Sequence, residues 1–153
     1  PRVVIPISGV HRGMVDAVNF ARSISDRITA VYIDIEPGRG FDVRKQWLDW
    51  FPDIPLEIVS SPYRSLVEPL LNYLDRTDRQ AHDGMAAVLI LPEFIPAHAW
   101  QDTLHNQSAR LIKNAIIYQR NKEGVNRIVI DVPYHLKKHR HNYARSNHKD
   151  HTD

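Results

Sequence analysis

The chain has no cysteine, which excludes disulfides and thiolate chemistry. Its longest apolar run, residues 85–91, is far shorter than the roughly 20 residues that a membrane-spanning helix needs. No secretory signal precedes the first apolar segment, and the sequence begins at Pro1 rather than at methionine. We therefore expect a domain that belongs to a longer protein.

Length and composition predict a single globular domain. The chain has 153 residues, of which 42% are hydrophobic and 25% are charged. Residues 136–153 contain five Lys or Arg and two Asp, a net charge of +3, whereas the remainder has 15 basic and 16 acidic residues, a net charge of −1. The folded body therefore has little electrostatic attraction for nucleic acid, and we expect no nucleic-acid partner.

Apolar periodicity predicts an α/β fold. Short apolar runs, mostly rich in β-branched residues, indicate strands covered on both faces, at residues 3–7, 28–35, 56–59, 86–91 and 128–132. Helical periodicity fills the gaps between them. Ser65 and Glu68 have the spacing of a capping box and predict a helix start there. We predict a five-stranded, parallel, doubly wound sheet (Rossmann-like) over residues 1–136, followed by a basic, His-rich tail at 137–153.

The first candidate site follows the first predicted strand, where a glycine turn contains Ser8, Gly9, His11 and Arg12. The turn is neither a GxGxxG fingerprint nor a P-loop. Ligands of open α/β folds bind at this edge of the sheet, and helix-start amides together with Arg12 suit a phosphate. A plain strand-to-helix turn with solvated His11 and Arg12 is the alternative interpretation. On this segment alone, the plain turn is slightly favoured over an anion site.

A second candidate site follows the third predicted strand. Ser61, Tyr63 and Arg64 offer a hydroxyl, a ring that stacks and a guanidinium, a combination that suits a nucleotide. A rigid proline turn with a packed Tyr63 explains them equally well. Asp34, which closes the second predicted strand, is placed to accept a hydrogen bond from a ribose hydroxyl. An aspartate at such a position is just as often a simple turn residue.

A third candidate site, His105 and Asn106, precedes the last predicted helix after a connection of about fifteen residues. Loops of that length are usually functional or disordered. The pair suits a base edge or a phosphate, although Asn106 as a helix cap is the simpler interpretation. We expect no metal site, because the tail histidines match no zinc spacing: His135, His139, His141, His148 and His151. No nucleophile–base set or carboxylate pair predicts an enzyme.

Four segments, taken in order, are more specific than any of them alone. They are GVHRG (9–13), SPYRSLVEPLLNYLD (61–75), LHNQ (104–107) and VPYHL (132–136). The set resembles the cytosolic C-terminal domain of bacterial amino-acid permeases of the APC superfamily, including the related KUP-type potassium importers. The resemblance covers residues 2–136.

The resemblance implies a universal-stress-protein-like fold with strand order 3-2-1-4-5. It also implies a non-enzymatic regulatory domain at the cytoplasmic face of the membrane, attached to the transmembrane part of the same permease. Paired domains of this kind in the related importer bind cyclic di-AMP, so a small nucleotide of that type is the expected ligand, with no other cofactor. A homodimer through the apolar edge of the fifth strand is expected as well.

One departure from the stress-protein pattern separates the alternatives. Nucleotide-binding universal stress proteins carry a G-x2-G-x9-G-[ST] segment after the fourth strand, whereas residues 92–108 here contain no glycine. This weakens the hypothesis of a free-standing adenine-nucleotide-binding stress protein. A purely structural dimerisation domain without a ligand stays open as the other alternative.

Overall fold

The computed structural model describes residues 1–36, 38–61, 63–93 and 103–133, with the backbone alone for 93, 103–108 and 133. Strands and helices alternate along the described chain. The elements are β1 (Arg2–Ile7), α1 (Gly13–Ile24), β2 (Arg27–Asp34), α2 (Arg39–Trp50), β3 (Leu56–Ser60), α3 (Val67–Ala81), β4 (Val88–Glu93), α4 (Thr103–Glu123) and β5 (Val129–Pro133). The predicted tail at 137–153 lies outside the described residues.

The five strands form one sheet in the order β3-β2-β1-β4-β5, and every neighbouring pair is parallel. Ile5 lies opposite Ala30 of β2, and Val4 lies opposite Leu89 of β4. The predicted α/β class, the five parallel strands and their order are confirmed. The universal-stress-protein-like label stays a prediction.

Each face of the sheet has its own hydrophobic core. Alternate residues of β1 point to opposite faces, so Val3 and Ile5 pack with α1 and α2, while Val4 packs with α3 and α4. Trp47 of α2 is fully buried in the first core, where its indole N–H donates to the Ile54 carbonyl over 2.8 Å. Burial on both faces explains why the strands read as nearly continuous apolar runs.

Two helix starts differ from the prediction. Helix α3 begins at Val67 after Leu66, and no side chain caps it, so the predicted capping box of Ser65 is wrong. The Ser65 carbonyl instead accepts from the Ser61 hydroxyl over 2.6 Å. Helix α4 begins at Thr103, which places Asn106 inside the helix rather than at its cap and shortens the long connection. In the part of the chain that the structure describes, no helix has the length and apolar character to cross a bilayer.

Candidate functional site

The carboxyl ends of the strands meet at one edge of the sheet, and most of the predicted site residues lie there. Asp34 closes β2, while Ser8 and Ser61 directly follow β1 and β3. Because the helices after β1 and β4 cover opposite faces of the sheet, the crevice between these two strands is the usual ligand position in such folds. The segment after β4, residues 94–102, lies outside the described residues.

The turn after β1 presents exposed and half-buried polar groups next to the start of α1. Ser8 and Arg12 are exposed, whereas Gly9 and His11 are partly buried. The carbonyls of His11 and Arg12 accept from the amides of Met14 and Val15, which closes the first turn of α1. Arg12 occupies the N-cap position without a side-chain hydrogen bond to the helix. Arg12 is exposed at the start of α1, whereas the Met14 and Val15 amides already donate within the turn. The charge of Arg12, rather than free amides, is therefore what this turn offers an anion.

Asp34 presents an unused acceptor inside this edge. Its Oδ1 atom is buried and accepts no hydrogen bond within the described part of the chain. A buried carboxylate oxygen without a donor is costly, which makes the atom a candidate acceptor for a donor from outside the chain. Gly40 of α2 makes this position possible, because a Cβ there would lie 3.0 Å from Asp34 Oδ2 and 3.0 Å from Ile58 Cγ2.

The loop after β3 is fixed at its start and exposed beyond it. The Ser61 amide donates to the Asp34 carbonyl over 3.0 Å, and the Ser61 side chain is buried. Arg64 follows with φ at +56°, in the left-handed region that disfavours a side chain. Tyr63 between them is 90% exposed, and it does not pack against the domain as the proline-turn alternative expected.

Among the clefts of the described structure, two have volumes of several hundred Å³. One, of about 540 Å³, lies between the end of β3 and α3 and is lined by Ser61, Tyr63, Arg76 and Arg79, among others. Sequence reasoning missed Arg76 and Arg79, although both lie on the polar face of an amphipathic helix that follows the predicted loop. The larger cleft, of about 920 Å³, lies at the amino ends of β1 and β2, away from the predicted site.

The structure brings some of the predicted residues together and leaves others untested. Asp34 and Ser61 are joined by a hydrogen bond, and Tyr63 and Arg64 follow in the same loop. The turn containing Ser8, Gly9, His11 and Arg12 follows the strand next to β2, at the same edge. His105 and Asn106 lie in the first turns of α4, and their side chains are outside the described residues. Binding by any of these residues stays a prediction.

Metal binding has no support in the described residues, which contain no group of three His, Cys, Asp or Glu side chains placed around a common point. The tail histidines lie outside the described residues. This edge of the sheet carries the Asp34 carboxylate at the end of β2 and exposed arginines in the segments after β1 and β3, groups of the kinds that bind hydroxyls and anions.

Comparison with known proteins identifies the family. The protein-family model described as the KimA potassium transporter C-terminal domain matches residues 1–134 of the sequence. The curated potassium transporter KimA of Bacillus subtilis (strain 168) is 30% identical over 137 residues, which make up 89% of this chain and 22% of that protein. The chain thus spans about a fifth of the length of this relative. The predicted resemblance to the C-terminal domain of a potassium importer is confirmed, whereas the link to amino-acid permeases stays a prediction. The chain belongs to the KimA potassium transporter C-terminal domain family.

Proposed function

We propose that this chain is the cytosolic, non-enzymatic regulatory domain of a potassium transporter, and that it senses a nucleotide second messenger such as cyclic di-AMP. Membership of the family over residues 1–134 supports the first part. The second part depends on one observation, the hydrogen bond from the Ser61 amide to the Asp34 carbonyl. This bond places the loop after β3 beside the end of β2, and both segments carry candidate ligand-binding residues. The transmembrane part of the same protein is then the partner that responds.

The chemistry of this edge suits a cyclic dinucleotide. Such a ligand carries phosphates, ribose hydroxyls and adenine rings. Arg12 and Arg64 supply charge for phosphate, and the buried Oδ1 of Asp34 supplies an acceptor for a hydroxyl. The exposed ring of Tyr63 supplies a stacking surface. His105 and Asn106, in the first turns of α4, are proposed to bind the adenine base.

We further propose that the domain acts as a homodimer through the edge of β5. Within the described sheet, β5 pairs only with β4, so its second edge is open. Ile128, just before β5, is exposed. A two-fold pair supplies each binding group twice, as a ligand with two phosphates and two bases requires. Ile128→Glu is expected to convert the dimer to a monomer in size-exclusion chromatography, whereas Met85→Glu, at an equally exposed position, leaves the dimer intact.

Calorimetry of the purified chain with cyclic di-AMP tests the ligand. Arg64→Ala is expected to weaken binding by about tenfold to a hundredfold, the loss of one charge-assisted hydrogen bond. Arg44→Ala, which removes an exposed arginine from α2, is the matched control and leaves binding unchanged. Absence of heat with cyclic di-AMP removes the ligand and leaves the structural dimerisation domain. Stabilisation by ATP but not by cyclic di-AMP would favour an adenine-nucleotide-binding stress protein.

A further inference from the structure

The outward face of α4 combines exposed apolar side chains with cations. Leu111, Ile117 and Tyr118 are all exposed, although the helix buries Ile112 and Ile116 on its opposite side. Large apolar side chains that cluster on a surface mark contact sites more often than scattered ones do. We refer to these three side chains, together with the cations Arg110 and Lys122, as the α4 face.

The charges on the α4 face have one sign. Arg110 and Lys122 are exposed beside the apolar side chains, and the Lys122 ammonium lies 5.4 Å from the centre of the Tyr118 ring. The single acidic residue of α4 is Glu123, its last residue. Carboxylates from neighbouring elements contact other residues of α4, where Asp131 pairs with Lys113 and Asp75 accepts from Gln119.

We propose that the α4 face binds the surface of an anionic phospholipid bilayer. Apolar and aromatic side chains flanked by Arg and Lys, without carboxylates, form the pattern of helices that lie in a membrane interface. The cations complement anionic headgroups, while Leu111 and Tyr118 enter the boundary between headgroups and acyl chains. The inference rests on the proposed function, because the C-terminal domain of a membrane transporter lies close to a bilayer.

The charge pattern favours a lipid surface over a second copy of the chain at this face. Two α4 faces packed on each other would bring Arg110 and Lys122 of both copies together without an opposing carboxylate, which is unfavourable. Helix α2 shows the contrast. Phe41 and Leu48 are also exposed and have the same seven-residue spacing, but Asp42 and Asp49 border them. The Lys45 ammonium of α2 lies 4.5 Å from the centre of the Phe41 ring, but Asp42 and Asp49 offset the positive charge of that helix. An anionic surface therefore attracts α2 less than it attracts α4.

Co-sedimentation of the full chain with vesicles tests the proposal. Vesicles of phosphatidylglycerol and phosphatidylcholine in equal parts are expected to bind the chain, and pure phosphatidylcholine is not. Leu111→Gln with Tyr118→Gln is expected to weaken binding by at least about tenfold. Arg110→Gln with Lys122→Gln is expected to weaken it by about fivefold per cation at low salt. High salt reduces the binding of the unaltered chain.

The control is Phe41→Gln with Leu48→Gln, because these side chains are 63% and 53% exposed, against 60% for Tyr118 and 56% for Leu111. This variant keeps the basic tail and is expected to bind the vesicles as the unaltered chain does. Equal loss in both double variants, no loss in the α4 variant, or no sedimentation of the unaltered chain overturns the proposal. So does a change from dimer to monomer in the α4 variant without vesicle binding by the unaltered chain, which assigns the face to a second copy.

The vesicle experiment contains no nucleotide, and the calorimetry contains no lipid. Failure of membrane binding is therefore distinguishable from failure of cyclic di-AMP sensing. A chain that binds cyclic di-AMP but no vesicles keeps the proposed function and loses this inference. A chain that binds vesicles but no nucleotide contradicts only the proposal that cyclic di-AMP is the ligand.

Discussion

Arg127 donates from Nη2 to Asp78 Oδ2 over 2.6 Å, and its guanidinium is almost fully buried. The other carboxylate oxygen of Asp78 accepts from Arg2 over 3.0 Å and from the Ala87 amide over 2.9 Å. Arg127 also donates to the Ala87 carbonyl over 2.8 Å. Asp78 on α3 therefore ties together the start of β1 and the segments that lead into β4 and β5.

Asp78→Asn is expected to lower the free energy of unfolding by about 3–5 kcal/mol, because it leaves the buried Arg127 guanidinium with only the more distant and more exposed carboxylate of Asp75, 3.9 Å away. Urea denaturation followed by circular dichroism measures the loss. Asp53→Asn is the control. It breaks an exposed pair with Arg22 at 2.7 Å and is expected to cost less than about 1 kcal/mol. Equal losses in the two variants would contradict the structural role of Asp78.

Asp78 also makes stability depend on pH. Burial raises the pKa of Asp78, but the hydrogen bonds from Arg127 and the Ala87 amide outweigh it and lower the pKa below its ordinary value. A lowered folded-state pKa means that the stabilisation is fully present above the unfolded pKa of about 4 and is lost as the pH falls through the folded value. The acid branch of a stability–pH curve is expected to be flatter in Asp78→Asn. A parallel curve would contradict this assignment.

The close approach of Gly40 to Asp34 predicts that alanine lowers stability at Gly40 but not at Gly9. Gly40→Ala is expected to destabilise the fold by about 1–3 kcal/mol, since the new Cβ meets Asp34 Oδ2 and Ile58 Cγ2 at 3.0 Å. Gly9→Ala is the control, because no atom of the described residues lies within 4 Å of the corresponding Cβ. It should change stability by less than about 0.5 kcal/mol. Thermal denaturation of both variants decides the matter.

Backbone strain in the loop after β3 predicts that Arg64→Gly gains stability relative to Arg64→Ala. The φ of +56° costs a residue with a side chain about 1 kcal/mol, and glycine removes that cost. His82 at the end of α3 has φ at +51°, so His82→Gly is expected to gain a similar amount. Calorimetric titration then separates the two positions, because only the Arg64 variants are expected to lose affinity for cyclic di-AMP. Equal affinity in all variants would exclude Arg64 from the site.

The strands were predictable because each one is buried on both faces. Such burial demands apolar residues at nearly every position, and the runs at 3–7 and 28–35 lie within a residue or two of β1 and β2. Helix starts were harder to predict. The Ser65 to Glu68 spacing predicted a cap, but α3 begins two residues later, at Val67. Pro69 has no N–H to donate to the Ser65 carbonyl, which accepts from the Ser61 hydroxyl instead, and the first helical bond runs from the Leu70 amide to the Leu66 carbonyl.

The site was only partly predictable, for a related reason. The carboxyl ends of parallel strands share an edge, so the nearness of Asp34 to Ser61 follows from the pattern of strands. The contact of Gly40 with Asp34 does not, because it depends on how deeply α2 sits against β2 and β3. The left-handed conformation of Arg64 was equally hidden, since arginine has no preference for that region.

The position of β1 in the sheet has a consequence for how the chain acquires its structure during synthesis. Strand β1 is synthesised before the strands it pairs with, and it pairs with β2 soon afterwards, but its other edge waits for β4, whose Val88 lies opposite Val3. Until then the backbone groups on that edge of β1 have no strand partner, and such distant pairings slow folding. A nascent chain stopped before residue 88 therefore exposes an unpaired edge of the apolar strand β1, which makes it a natural target for chaperones.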